Sequence, residues 1–325
     1  MRNFLRLIIL ILMFFNGHAP AAASARGIEF TVSVDWEGRD LSETNLQAMR
    51  DFRDKYPDIH LVHFLNAAYF TKPGVNADEV RSKIQSVLRP GDELGLHIHA
   101  WKYLFVAAGV ELRPVRTFWG YPETVQPDGD VGHQDVLSDF TVEEIRKVIR
   151  YSVAVLNKNG FTDISSFRAG GWMGGPNVLE ALVLEGFVSD SSAVPSILLE
   201  AQLKNRPLLK YIENFWGKIT IKSRPYTIKT AAGPIKEFPN TAGLADYVDG
   251  DQVFQIFKSQ IKYGRKPYLH FGFHQETASR FLPEVARAID LLSDHANSTG
   301  KSIAAVRMNA GGRSCSAVLG SENGN

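Results

Sequence analysis

Four segments of this 325-residue chain alternate polar and apolar residues with a period of two. In an extended strand, residues i and i+2 share a face. Thr31, Ser33, Asp35 and Glu37 therefore lie together, with Val32, Val34 and Trp36 opposite. Glu93, Gly95, His97 and His99 oppose Leu94, Leu96, Ile98 and Ala100. Ser166 and Arg168 oppose Phe167, and His270, Gly272 and His274 oppose Leu269, Phe271 and Phe273. Such strands have few ways to pack. The apolar faces must meet covering helices, and the polar faces must line a shared interior. Asp35, Glu37, His97, His99, Arg168 and His274 then fall near strand C-terminal ends, where barrel folds carry their chemistry.

The intervening sequence supplies the helices. Leu46, Met49, Phe52 and Tyr56 recur at helical spacing before Pro57, and Asn76-x-x-Glu79 opens a helix that stops at Pro90. Thr141-x-x-Glu144 is a capping box, while Pro176 suits a first helical position and Gly186 a helix end. Strands are expected over residues 28–34, 59–70, 93–100, 164–169 and 268–273, and further helices over 251–263 and 283–295. Alternation of strand and helix predicts an α/β fold with mostly parallel strands, in one domain over residues 26–309. Residues 111–139 read as a long loop over the barrel mouth, 219–239 as a β-hairpin insertion, and 310–325 as a flexible tail.

Residues 1–25 read as an address. Arg2 and Arg6 precede the nine-residue apolar run from Leu7 to Phe15, and Ala23-Ser24-Ala25 fits a cleavage site. Nine residues of helix span about 14 Å, against about 30 Å of bilayer core. The expectation is a cleaved signal peptide, no stable membrane insertion afterwards, and an exported protein, periplasmic or extracellular. The chain carries 36 Lys+Arg against 35 Asp+Glu, and loss of Arg2 and Arg6 leaves 34 against 35. A near-neutral protein gives no reason to expect a nucleic-acid partner. The single cysteine, Cys315, makes no internal disulfide and no thiolate cage. Chemistry must come from His, Asp, Glu and Arg.

Taken singly, each of these residues has a plain reading. Asp35 and Glu37 can cap loops, His97 and His99 can be core histidines, and Arg168 can be a structural ion-pair partner. Taken together they are harder to house, because buried charges are costly unless paired or metal-bound. Two neutral imidazoles and a carboxylate match an open three-ligand site for Zn²⁺ or a similar divalent ion.

These residues resemble the polysaccharide deacetylase family (NodB homology, carbohydrate esterase type) across most of residues 28–300. The motifs, in order, are Ser33-Val34-Asp35-Trp36-Glu37-Gly38, the run from Gly91 to His99, Phe167-Arg168-Ala169-Gly170-Gly171-Trp172, the run from Gly186 to Ser192, and Leu269-His270-Phe271-Gly272-Phe273-His274. Here Asp-x-Glu replaces the usual Asp-Asp, and His97-x-His99 replaces His-x-x-x-His, with Trp101 where the later histidine would fall. The third motif lacks the common Pro-Tyr. The resemblance implies a distorted, seven-stranded, TIM-like (β/α) barrel and hydrolytic removal of N-acetyl groups from an N-acetylated glycan.

On that resemblance, Glu37, His97 and His99 hold the metal, most simply Zn²⁺, with His133 the alternative third ligand. Asp35 is the general base, Arg168 pairs with it, and His274 protonates the departing amine. Asp190 is a further candidate for orienting a site group, with a loop cap as its plain reading. Trp101, Trp119, Tyr121 and Trp172 are candidate sugar-stacking platforms or core aromatics. Competing readings are a metal amidohydrolase on a non-sugar amide or imide, and an inactive exported sugar-binding barrel. A glycosidase using Asp35 and Glu37 is disfavoured, because its two carboxylates must flank the sugar from opposite sides.

Overall fold

The computed structural model describes residues 27–308, apart from 112, 114 and 263–265. The expected signal peptide, the tail with Cys315 and the last residue of the 251–263 helix lie outside the described residues. Seven strands run parallel, in the spatial order β8 (Leu269–His274), β1 (Ile28–Asp35), β2 (Leu61–Leu65), β3 (Glu93–Ile98), β4 (Ser166–Ala169), β5 (Ser189–Asp190), β7 (Gly233–Glu237). β6 (Tyr226–Thr230) pairs antiparallel with β7, which makes the expected hairpin. β9 (Ile303–Ala305) pairs with the first residues of β1, ahead of the stretch that meets β2.

The sheet is curled, and side chains prove it. Arg168 on β4 reaches Asp35 and Ser33 on β1, although β2 and β3 separate those strands in the sheet. Backbone bonds then draw the two rims together. After β7, the amide of Phe238 donates to Asp190 at the end of β5, and that of Asn240 to Ala193 beyond it. The same run continues to β8, where Ala242 and Ala245 donate to His270 and Gly272, and Gly272 donates to Gly243. Residues 238–245 are thus the seam of a seven-stranded (β/α) barrel, as expected from the sequence.

The described α-helices are α1 (Glu43–Lys55), α2 (Ala77–Gln85), α3 (Lys102–Ala107), α4 (Val142–Lys158), α5 (Pro176–Leu184), α6 (Glu200–Leu203), α7 (Pro207–Trp216), α8 (Gly250–Ile261) and α9 (Ala278–Ser298), with short 3-10 turns between elements. Local chemistry fixes their ends. Asn76 caps α2, Thr141 and Glu144 form the capping box of α4, and Pro176 opens α5. The apolar strand faces pack on helices as expected; Phe273 of β8 lies 6.4 Å, ring to ring, from Phe52 of α1.

Two expectations need correction. The strand expected over 59–70 ends at Leu65, where Asn66 turns the chain into a short 3-10 helix, Ala67–Phe70. Its side-chain oxygen accepts from Ala68 N and its amide donates to the Glu37 carbonyl, so Asn66 serves two neighbours that a straight strand would not reach. The helix expected over 283–295 begins at Ala278, with Pro283 inside it. α3 and α6 carry too few turns to be legible in the sequence, whereas α7, with Pro207 at its start and Leu208, Leu209, Ile212 and Trp216 on its buried face, had a legible pattern that sequence reasoning missed.

Candidate active site

At the C-terminal ends of the strands lies a pocket of about 330 Å³. Asp35, Glu37, His97, His99, His133 and His274 line it, with Trp119, Tyr121, Trp172 and Tyr247 supplying aromatic surface. The loop expected over the mouth does contribute, through Phe118, Trp119, Tyr121, His133 and Gln134.

Arg168 forms the floor. Both it and Asp35 are buried, and Nη1 donates to Asp35 Oδ1 at 2.7 Å and to Ser33 Oγ at 2.8 Å. Nε donates to the Ser191 carbonyl at 3.0 Å, while Nη2 donates to Ser191 Oγ at 2.8 Å and to His270 Nε2 at 3.1 Å. All five guanidinium donors are therefore engaged. Burial, with the positive charge of Arg168 beside it, holds His270 well below the usual histidine range, so it stays neutral and can accept.

Glu37 sits at the centre of an imidazole cage. Its Oε2 lies 2.8 Å from His99 Nε2 and 2.6 Å from His133 Nε2, and its Oε1 lies 3.3 Å from His97 Nε2. Backbone carbonyls set the tautomers: His97 Nδ1 donates to the Arg168 carbonyl at 2.8 Å and His99 Nδ1 to the His133 carbonyl at 2.7 Å. Nε2 of each ring then faces Glu37. His99 Nε2 is buried and makes no hydrogen bond despite its closeness to the carboxylate. Imidazole nitrogens gathered round a carboxylate are a donor set that suits a divalent cation. Glu37, His99 and His133 present ligand atoms within 4.8 Å of one another. The alternative third ligand of the sequence reading thus joins His99 in the tightest trio, and His97 faces the other carboxylate oxygen.

The cage is held from outside. The Glu37 carbonyl accepts from Trp101 Nε1 at 2.7 Å and from Asn66 Nδ2 at 3.1 Å. Gly38 follows at φ +81°, where an added Cβ would lie 2.8 Å from Trp101 Nε1. At Gly170 an added Cβ would lie 2.5 Å from the His99 ring, so glycine there leaves room for the imidazole. Burial works to raise the Glu37 carboxyl, but His99, His133 and His97 outweigh it and hold it well below the usual range. Burial and the neighbouring His99 push His133 down to about 3, so it is neutral.

His274 stands on the other side of Glu37, with Nε2 3.6 Å from Oε1 and Nδ1 2.9 Å from Asp246 Oδ2. Burial disfavours its charge, yet Asp246, Glu37 and Asp35 overcome burial and raise it to about 10. It is therefore an imidazolium at neutral pH. Beside it, burial and Glu37 push Glu276 up to about 8.

Of the residues singled out in the sequence, Asp35, Glu37, His97, His99, His133 and His274 line the pocket, and Arg168 lies directly beneath Asp35. Asp190 does not reach it. Its carboxylate accepts from the Ser192 hydroxyl and amide, and shares a hydrogen bond with Glu237, its partner across β5 and β7. Trp101 is no platform: it is fully buried and braces Glu37. Trp119, Tyr121 and Trp172 do line the pocket. Sequence reasoning missed Asp246 and Glu276. Asp246 lies past the seam with no strand period around it, whereas Glu276, two residues beyond His274, could have been flagged by that spacing.

No family model and no curated protein matches the chain. Among solved structures, it is similar to a putative polysaccharide deacetylase from Mycobacterium smegmatis, at 10% identity and TM-score 0.44, covering 90% of this chain and 96% of that one. It is also similar to a family 4 carbohydrate esterase from Streptomyces lividans, at 9% identity and TM-score 0.42, covering 88% and 95%. A third is the chitin deacetylase of Colletotrichum lindemuthianum, at 10% identity and TM-score 0.42, covering 87% of each chain. Likenesses at these values carry no weight in assigning a function, which rests on the residues of the site itself.

Proposed function

We propose that this protein is a metal-dependent hydrolase that removes N-acetyl groups from an N-acetylated glycan. The observation that carries the reading is one pocket holding a Glu–His cage, a carboxylate fixed by a buried arginine, and an imidazolium fixed by a second carboxylate. Glu37, His99 and His133, with His97 against the remaining carboxylate oxygen, would hold a divalent ion, most simply Zn²⁺. Such an ion supplies Lewis-acid polarisation of the acetamide carbonyl and stabilises the charge that develops on its oxygen.

The chain's own residues move the protons. Asp35, oriented by Arg168, takes the proton from the attacking water. His274, charged at neutral pH, donates its proton to the nitrogen as the C–N bond breaks, leaving acetate and a free amine. Asp246 holds His274 Nδ1 and leaves Nε2 turned toward the pocket. Trp172 and Tyr247, in edge contact at 5.6 Å, together with Trp119 and Tyr121, offer the apolar surface on which a sugar ring rests. The reading includes export, on the strength of the apolar run and Ala23-Ser24-Ala25.

The test is acetate release from N-acetylated oligosaccharides by protein loaded with divalent metal, alongside metal content by mass spectrometry. Activity that needs the metal is expected, with Glu37→Gln losing both. Absence of acetate release across peptidoglycan, chitin-like and exopolysaccharide fragments would overturn the reading.

A further inference from the structure

Arg39 is the single Lys or Arg among the residues that line the pocket. It follows the Glu37–Gly38 turn, and its backbone is pinned: its amide donates to Glu276 Oε1 at 3.3 Å, as the Glu37 amide does to Oε2 at 3.4 Å. Tyr69 donates to Glu276 Oε1 as well, at 3.0 Å. The Glu276 carboxyl is therefore committed to two amides and a phenol; the charge of Arg39 is near enough to lower its pKa, but the two groups do not close to an ion pair within 4.0 Å.

Nor does any other group neutralise Arg39. Its Nη2 stands 3.3 Å from Nδ1 and 3.2 Å from Nε2 of His133. A neutral imidazole can accept from the guanidinium but leaves its charge in place, and His133 Nε2 already lies 2.6 Å from Glu37 Oε2. Among the described residues no carboxylate pairs with Arg39, whereas the other cations of the site each have one: Arg168 has Asp35 and His274 has Asp246. One positive charge at the mouth of the pocket is left for a ligand.

We propose that Arg39 is an anion receptor that selects glycans bearing a carboxylate on, or directly next to, the N-acetylated sugar. The inference rests on the deacetylase reading and names its substrate class. The guanidinium presents a planar fork of donors that matches a carboxylate bidentately. Its contact with His133, itself against Glu37, sets the distance: an anion held there lies within about one sugar ring's breadth of the cage. The chain carries 36 basic against 35 acidic residues, or 34 against 35 without Arg2 and Arg6, so attraction of an anion by the overall field is weak and selection falls to this one residue.

The experiment compares an N-acetylmuramic-acid-containing oligosaccharide with its methyl ester, which keeps the shape and removes the charge. Wild type, Arg39→Gln and Arg39→Lys are assayed for acetate release and for equilibrium binding by intrinsic tryptophan fluorescence. Wild type should prefer the acid by at least about tenfold in kcat/KM, the size expected for a charge-assisted hydrogen bond. Arg39→Gln should bring the ratio to about one, chiefly through KM, with Arg39→Lys between, and added salt should narrow the wild-type ratio. A wild-type ratio near one, or a ratio unchanged in Arg39→Gln, would overturn the proposal. If no substrate releases acetate, the deacetylase reading fails and the binding arm still decides. A preference for the acid that vanishes in Arg39→Gln supports the receptor, and equal Kd values for acid and ester refute it.

Discussion

Asp35–Arg168 and Asp246–His274 are both carboxylate–cation pairs at one pocket, yet the first is sealed and the second is open. The side chains of the first pair are 3% and 1% exposed, against 15% and 19% for the second. The cations differ in kind too. A guanidinium keeps its charge at every working pH, and Arg168 has all five donors bound, so it can only hold. An imidazolium can give its proton away, and His274 keeps Nε2 facing the pocket. The difference separates two duties that one charge cannot perform together: fixing the geometry of a base, and delivering a proton.

The sharpest way to break the contrast is to remove the sealed cation. Arg168→Met leaves Asp35 buried without its partner, and should cost about 3–5 kcal/mol of stability. Urea unfolding measures this, and a loss below about 1 kcal/mol would show that Asp35 does not depend on the pair. His274→Asn addresses the open pair. Turnover should fall by about 10²–10⁴ while bound metal is retained; a drop of less than about threefold would remove His274 from the proton path.

Asp246→Asn tests the coupling more finely. It should lower the pKa of His274 from about 10 toward the ordinary histidine value near 6.5, read from the NMR titration of its ring protons. The sign of the linked stability is set by the direction of that shift. A histidine raised on folding contributes fully below about pH 6.5, and that contribution is lost as pH rises through about 10. The variant should therefore lose less stability across that window than wild type, and an identical pH dependence would show that Asp246 is not the cause of the shift. The smallest effect is expected of Trp101→Phe, which removes one donor from the Glu37 carbonyl and should cost about 1 kcal/mol. A neutral result would leave Asn66 as sufficient support.

Much of the site could be read from the sequence, because period-two alternation is enforced by the strand itself. Asp35, Glu37, His97, His99, Arg168 and His274 follow from where their strands end. Residues placed by irregular backbone could not be read that way. His133 comes from a loop anchored by the Thr117–Asp135 bridge, and Asp246 from the run beyond the seam. Trp101 shows the other limit. An aromatic beside a site suggests a stacking surface, but only packing reveals that its ring is buried and its N–H is spent on a carbonyl. Asp190 shares a strand face with nothing that reaches the pocket, since Ser192 and Glu237 claim its oxygens.

The seam at residues 238–245 has a bearing on how the molecule comes into being. β1 through β5 lie early in the chain and can assemble neighbour by neighbour, but β1 must wait for β8, more than 230 residues later, to gain its second edge partner. Asp246 and His274 arrive with that closing stretch. A nascent chain therefore carries the cage residues, complete at His133, without their proton donor until His274 is made, and contacts of such sequence separation are slow to form. Competence for the proposed reaction is thus acquired last, in the same step that shuts the barrel.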